Sequence, residues 1–159
     1  MKRIIITLIT LSLIVFCPVT TSNAAVIRQH SIEYLTDGSY YETTVTTNDF
    51  HSYSLIRTAS LTRSANKTTT YTSSSGAKLW SVTVTGNFSY VKGKSSKCTS
   101  SSVSASSYSA SWKISNKSSS KSGNTATASA TVLQYSGARP VNSVTRKVSL
   151  TCDANGNLS

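Results

Sequence analysis

Carboxylates are scarce in this sequence. Of 159 residues only five are Asp or Glu, namely Glu33, Asp37, Glu42, Asp49 and Asp153, so none falls between residues 50 and 152. Glycoside hydrolysis ordinarily needs two acidic groups flanking the scissile bond, and oxygen-liganded cations need clusters of them. The body of the chain offers neither. Histidine occurs only at positions 30 and 51, too few to complete a zinc site with the available cysteines. His51 beside Asp49 could orient one of the many serines as a nucleophile, yet serine is so frequent that the match says little. Phosphate-cradling and dinucleotide-binding glycine patterns are absent as well. The chain is therefore expected to be no enzyme and to take no cofactor or metal; hydrolysis through His51 is the remaining catalytic alternative.

Long apolar runs are also missing. The opening MKRIIITLITLSLIVFCPVTTSNAA has a basic start at Lys2 and Arg3, an apolar stretch from Ile4 to Cys17, and small residues at Ser22-Asn23-Ala24. That is the layout of a secretory signal peptide over residues 1–24. Its 14 apolar residues fall short of the roughly 20 that a spanning helix needs. Cys17 follows Phe16 rather than a small residue, so it is expected to leave with the signal instead of carrying a lipid. The remaining residues 25–159 suffice for one secreted domain with no integral membrane span.

Cysteine is reduced by that cleavage to Cys98 and Cys152. In an exported chain such a pair normally becomes a disulfide. Closing 54 residues would stabilise the fold by roughly 4 kcal/mol in the chain-entropy picture. A reactive or metal-binding pair is the alternative, but it lacks nearby partners in the sequence.

With only two prolines, seven glycines and abundant Ser and Thr, the composition suits short pleated strands. The clearest runs through LWSVTVTGNFSY, where Trp80, Val82, Val84, Phe88 and Tyr90 share one face and Ser81, Thr83, Thr85, Asn87 and Ser89 the other. Ala126, Ala128, Ala130 and Val132 alternate with Thr and Ser, small enough to let a bulky partner pack close. Val144, Val148, Leu150 and Cys152 form a third apolar row with Arg146 in the apolar phase, which predicts a rim position or a bulge for that residue. Tyr108, Ala110, Trp112 and Ile114 form a fourth. Turn chemistry at TDGS, SSG, VKGK, KSGN and SGARP separates the runs, and residues 116–123 read as a mobile polar loop. The expected fold class is all-β: a single antiparallel β-sandwich, immunoglobulin-like in the loose sense, with about seven to nine strands and one disulfide.

Charge of one sign dominates what is present. The formal net charge is +11, and residues 50 to 152 carry thirteen Lys and Arg with nothing to oppose them. Such a body would be drawn to an anionic polymer or surface by long-range steering. Lysines that merely keep a Ser/Thr-rich surface soluble and blunt sheet edges are the plain alternative. The first contacts expected are Lys92, Lys94 and Lys97, which flank Gly93 at a hairpin tip. Tyr40 and Tyr41, with Tyr53, Tyr71 and Tyr90, could form an aromatic platform, although tyrosines at strand positions commonly border a core.

DGSYYE at 37–42, SSGAKLWSVTVTGNFSYVKGKSSKCTSSSVS at 74–104, WKISNKSSSKSGNTATA at 112–128 and KVSLTCDANGNLS at 147–159 carry a resemblance. Through them the chain resembles a group of small secreted proteins of Gram-positive, clostridia-like bacteria. The resemblance implies an exported all-β protein with one disulfide and assigns no activity to any residue. The functional expectation is a secreted, non-enzymatic binding module, extracellular or loosely cell-wall associated, for teichoic acid, anionic lipid, glycosaminoglycan or extracellular DNA. A bacteriocin-like cationic antagonist and a module with a protein partner are the alternatives.

Overall fold

Alternating side chains and five glycine turns lay the chain out as eight strands. The computed structural model describes residues 26–48 and 60–159. The expected signal peptide with Cys17, and also Asp49, His51, Tyr53 and Arg57, lie outside the described residues. Strands β1 (Val26–Tyr34), β2 (Tyr40–Asn48), β3 (Leu61–Thr72), β4 (Lys78–Val91) and β5 (Ser95–Ser107) form one antiparallel sheet. Strands β6 (Trp112–Ser122), β7 (Thr125–Ser136) and β8 (Arg139–Thr151) form a second. Among the described residues there is no helix.

Within each sheet every neighbour in space is a neighbour in sequence. The connections are those of two meanders, whereas an immunoglobulin-type domain joins its strands by Greek keys. The likeness to that fold thus stops at two antiparallel sheets.

The expected turns are where the chain reverses. Gly38, Gly76, Gly93, Gly123 and Gly137 each hold a positive φ between consecutive strands. Left-handed backbone of this kind is open to glycine at little steric cost, so these five positions fix the strand lengths.

One buried cluster joins the two sheets. From β4 it takes Trp80, Val82, Val84 and Phe88, from β7 Ala126, Ala128, Ala130 and Val132, and from β8 Val148 and Leu150. Burying a residue the size of Val or Phe contributes about 1.5–3 kcal/mol. The alanine row does what its small size allows. Phe88 lies over Gly86, and a Cβ built on Gly86 would stand 2.7 Å from the Phe88 ring and 3.0 Å from the Ala126 methyl. Trp80 and Trp112 meet across the sheets at 6.3 Å between ring centroids.

Several expectations need correction. Residues 116–122 are not a loop but the second half of β6, whose backbone is paired with β7 from Asn116↔Thr131 to Ser122↔Thr125. The hydrogen-bond ladder of β7 holds this polar segment without an apolar pattern of its own. Tyr108 and Ala110 do not extend the Trp112 row, because residues 108–111 form the connection between the sheets and Tyr108 is 57% exposed. Arg146 keeps the inward phase opposite Ala130 with no bulge at its position. It reaches the rim, where its guanidinium lies 4.2 Å from the Tyr41 ring centroid and donates to Glu33 at 3.1 Å.

The expected Cys98–Cys152 disulfide is not formed in this structure; both residues are buried free thiols. Each sulfur is turned to a nearby backbone carbonyl, Cys98 Sγ donating to Ser100 O at 3.2 Å and Cys152 Sγ approaching Asp153 O at 3.5 Å.

Candidate functional site

Strand direction gathers basic groups at one end of the molecule. The β4–β5 turn, the β6–β7 turn and the segment after β8 all lie there, because β4, β6 and β8 run toward that end. Lys92 and Lys94 are exposed on the β4–β5 turn, which closes through Lys94 N–H to Val91 O at 2.9 Å. Gly93 N–H donates to Ala154 O at 3.0 Å, tying that turn to the C-terminal segment. Lys97 follows on β5, paired with Ser89.

A bulge shapes the next part of the site. Asn87 pairs with Ser100 and Phe88 with Cys98, leaving Thr99 as an extra residue on β5. Bulges bend a strand and re-aim its groups. Here the Thr99 carbonyl is presented to β6 and accepts from Lys121 Nζ at 2.5 Å. Two further bonds sew the same margin, Cys98 N–H to Gly123 O at 2.8 Å and Ser119 Oγ to Ser101 O at 3.3 Å. Between β5 and the β6–β7 turn an open pocket of about 330 Å³ remains, lined by Ser96, Lys97, Cys98, Lys121, Ser122 and Gly123.

The structure therefore brings Lys97 together with Lys121 rather than with Lys92 and Lys94 alone. Lys121 is invisible as a partner in the sequence, being 24 residues from Lys97. Its apparent series with Lys113 and Lys117 is also misleading. A bulge at Ser115 switches the phase of β6, so that Lys113 pairs with Leu133 while Lys117 and Lys121 pair with Ala130 and Ala126. Lys113 lies over the Tyr135 ring at 4.8 Å, on the other side of the sheet from the pocket.

The acids are occupied elsewhere. Glu33 binds Arg146, and Glu42 binds His30 at 2.9 Å. Asp37 accepts from the Ser39 hydroxyl and amide at 2.5 and 3.0 Å, contacts that hold its carboxyl below the usual value. Asp153, nearest to the basic end, is turned into its own loop. Its oxygens accept from Asn157 Nδ2 and from the Asn157 and Asn155 amides, and these bonds, the side-chain one foremost, lower its pKa. Among the described residues no carboxylate forms an ion pair with Lys92, Lys94, Lys97 or Lys121.

No thiol at this end is activated. Burial is the largest influence on both Cys98 and Cys152 and pushes both up, so the protonated form prevails at neutral pH. His30 and Glu42 do form a histidine–carboxylate pair that the sequence did not flag, because the partners come from different strands. The pair is exposed, and among the described residues no hydroxyl is bonded to the imidazole. Among the described residues the tyrosines form no shared platform. Tyr41 and Tyr71 pack against Trp80 at 5.9 and 5.4 Å, whereas Tyr40 stacks on exposed Tyr34 at 5.6 Å.

Compared with protein-family models, curated proteins and solved structures, the chain matches none. The functional reading rests on the geometry of the basic end.

Proposed function

We propose that the protein is a secreted, non-enzymatic β-sandwich module that binds anionic polymers of the cell envelope or its surroundings. Teichoic acid, anionic lipid headgroups, glycosaminoglycan and extracellular DNA share the chemistry required, a dense row of negative charge. The supporting observation is the pairing pattern: every described carboxylate is held by a neighbour in its own chain, while Lys92, Lys94, Lys97 and Lys121 have no acidic partner among the described residues. Lys78, Lys113 and Arg139 stand at the opposite end and also lack an acidic partner among the described residues, so what favours a contact surface is the grouping of Lys92, Lys94, Lys97 and Lys121 on two turns that flank a pocket.

The test is binding of the purified protein to isolated Gram-positive walls, with and without teichoic acid, across a salt series. Exposed charges are screened within about 8 Å at physiological ionic strength, so polymer-dependent binding should weaken steeply with salt. Salt-independent binding, or none, overturns the reading. Killing of the cells at the same concentrations would instead favour a cationic antagonist.

A protein partner is favoured by one observation. Strand β1 pairs only with β2 among the described residues and exposes Ile32 at 43% and Tyr34 at 72%. Such an edge can accept an extended segment by strand addition. Wall binding that survives teichoic acid removal but disappears after protease treatment of the walls would identify this mode.

Export carries a corollary for the thiols. The reading includes oxidation of Cys98 and Cys152 to a disulfide by a disulfide-bearing oxidant outside the cell. Two thiols give up two electrons and two protons, one S–S bond forms, and the oxidant is reduced to its dithiol. Intact mass before and after reduction and alkylation decides this, since alkylation without prior reduction means that the bridge is absent.

A further inference from the structure

Lys97 and Lys121 face one pocket from two different sheets, and that pocket has features a general basic surface does not need. No acidic side chain lines it. The β5 bulge and the bond from Cys98 N–H to Gly123 O at 2.8 Å fix its two walls relative to each other. Ser96 lines it with its hydroxyl buried against the Cys152 thiol, whereas Ser122 presents an exposed hydroxyl.

We infer that this pocket seats one phosphate group of a phosphodiester polymer, with Lys97 and Lys121 as the two charge contacts and Ser122 as a hydroxyl donor. The inference rests on the anionic-polymer reading above and gives it a specific chemistry. The arginine fork matches carboxylate and phosphate alike, whereas lysine binds phosphate as a point charge with rotatable donors. Among the residues lining this pocket there is no arginine. A tetrahedral anion can accept from ammonium and hydroxyl donors arriving from several sides at once. The volume, about 330 Å³, exceeds a bare phosphate and stands at the small end of the roughly 300–1,000 Å³ of ligand pockets. It admits the phosphate together with one flanking unit of the polymer. Lys92 and Lys94, on the neighbouring turn, then engage the phosphates on either side without discrimination.

The experiment is an amide chemical-shift titration of the full purified protein with glycerol 3-phosphate at constant ionic strength. A parallel arm uses acetate. Saturable shifts centred on Ser96–Cys98 and Lys121–Gly123 with the phosphate, and none with acetate, are expected. Lys97→Gln and Lys121→Gln should each weaken that binding about tenfold, the scale of one charge-assisted hydrogen bond. Lys113→Gln, on the other side of the sheet from the pocket, should leave it unchanged. Near-ultraviolet circular dichroism of Trp80 and Trp112 checks that Lys121→Gln, which also loses the Thr99 contact, remains folded; Lys97→Gln carries no such contact and serves as the second variant.

Poly(glycerol phosphate) and an abasic DNA strand then separate the two sources of phosphodiester. Preference for either names the polymer, and equal binding assigns recognition to the phosphate itself. Unsaturable shifts, shifts elsewhere, or equal response to acetate overturn the pocket. Should Lys97→Gln with Lys121→Gln still bind walls while Lys92→Gln with Lys94→Gln does not, the pocket fails and the broader reading survives. Should wild-type protein bind no wall at any salt, the broader reading fails regardless of the titration.

Discussion

Cys98 and Cys152 are fastened by their backbones to consecutive carbonyls, the Cys98 amide to Gly123 O at 2.8 Å and the Cys152 amide to Asn124 O at 3.0 Å. The β6–β7 turn is thereby a clamp that holds β5 of one sheet and the end of β8 of the other. Asn124 adds a side-chain bond, Nδ2 to Cys152 O at 2.8 Å. Asn124→Ala should lower stability by about 1 kcal/mol, the net worth of one such bond. A shift in the urea midpoint at unchanged m-value would check it.

The state of the two thiols should be readable in alkaline stability. Burial raises both above their ordinary 9.0 in the folded, reduced protein. Their contribution is complete below pH 9.0, and it is lost as pH rises, since the unfolded chain gives up its thiol protons first. Tyr41, raised chiefly by burial, acts in the same direction, whereas Lys67, lowered by burial, acts oppositely. Those two are common to reduced and oxidised protein. Reduced protein should therefore lose more stability than oxidised protein between pH 8 and pH 10, measured as denaturant midpoints; parallel profiles would contradict the assignment.

Gly86 has no room for a side chain. A methyl there would press on the Phe88 ring at 2.7 Å, and Ala126 stands behind at 3.0 Å. Gly86→Ala should cost about 1–3 kcal/mol by overpacking. Adding Phe88→Leu should recover part of it, because the two positions share one space. Additive losses in thermal unfolding would show that the clash is absorbed elsewhere.

The same neighbourhood shows how far the sequence could be read. The β4 alternation, the alanine row and the glycine turns announce their own structure, since each is written within a dozen residues. Strand β6 does not, because SNKSSSKS has no apolar face and becomes a strand only by pairing with β7. The pocket fails to announce itself for a related reason. Lys97 and Lys121 come to line one pocket through a bulge at Thr99 and a hairpin at Gly123, and neither feature alters the composition around the lysines. Of the expected contacts, Lys92 and Lys94 could be placed on a turn from sequence alone, while the partner of Lys97 could not.

Arg146 tests how a cation is accommodated among apolar neighbours. Its guanidinium covers the Tyr41 ring at 4.2 Å and donates to Glu33, whose side chain is 62% exposed. An exposed carboxylate partner is worth about 0–1 kcal/mol, so Glu33→Gln should be nearly neutral. Arg146→Ala should cost more, about 1–2 kcal/mol, through the lost aromatic contact and stem packing. A double-mutant cycle between Arg146 and Tyr41 separates the two, and coupling with Glu33 exceeding that with Tyr41 would reverse the ranking.

Acid should loosen the C-terminal turn before it unfolds the sheets. Asp153 is held below its ordinary 3.8 by the Asn157 side chain first and by the Asn157, Asn155 and Gly156 amides. Its stabilising contribution is therefore complete above pH 3.8, and it is lost as pH falls through the lowered value. Amide shifts of Asn155 and Asn157 should titrate together in that window, and Asp153→Asn should remove the transition. Because Gly93 N–H is bonded to Ala154 O, the loss should reach the turn that carries Lys92 and Lys94. Faster exchange of the Gly93 amide in Asp153→Asn at neutral pH would demonstrate the link. Unchanged exchange there, with Asn155 and Asn157 released, would mean that the β4–β5 turn holds its shape without the C-terminal segment.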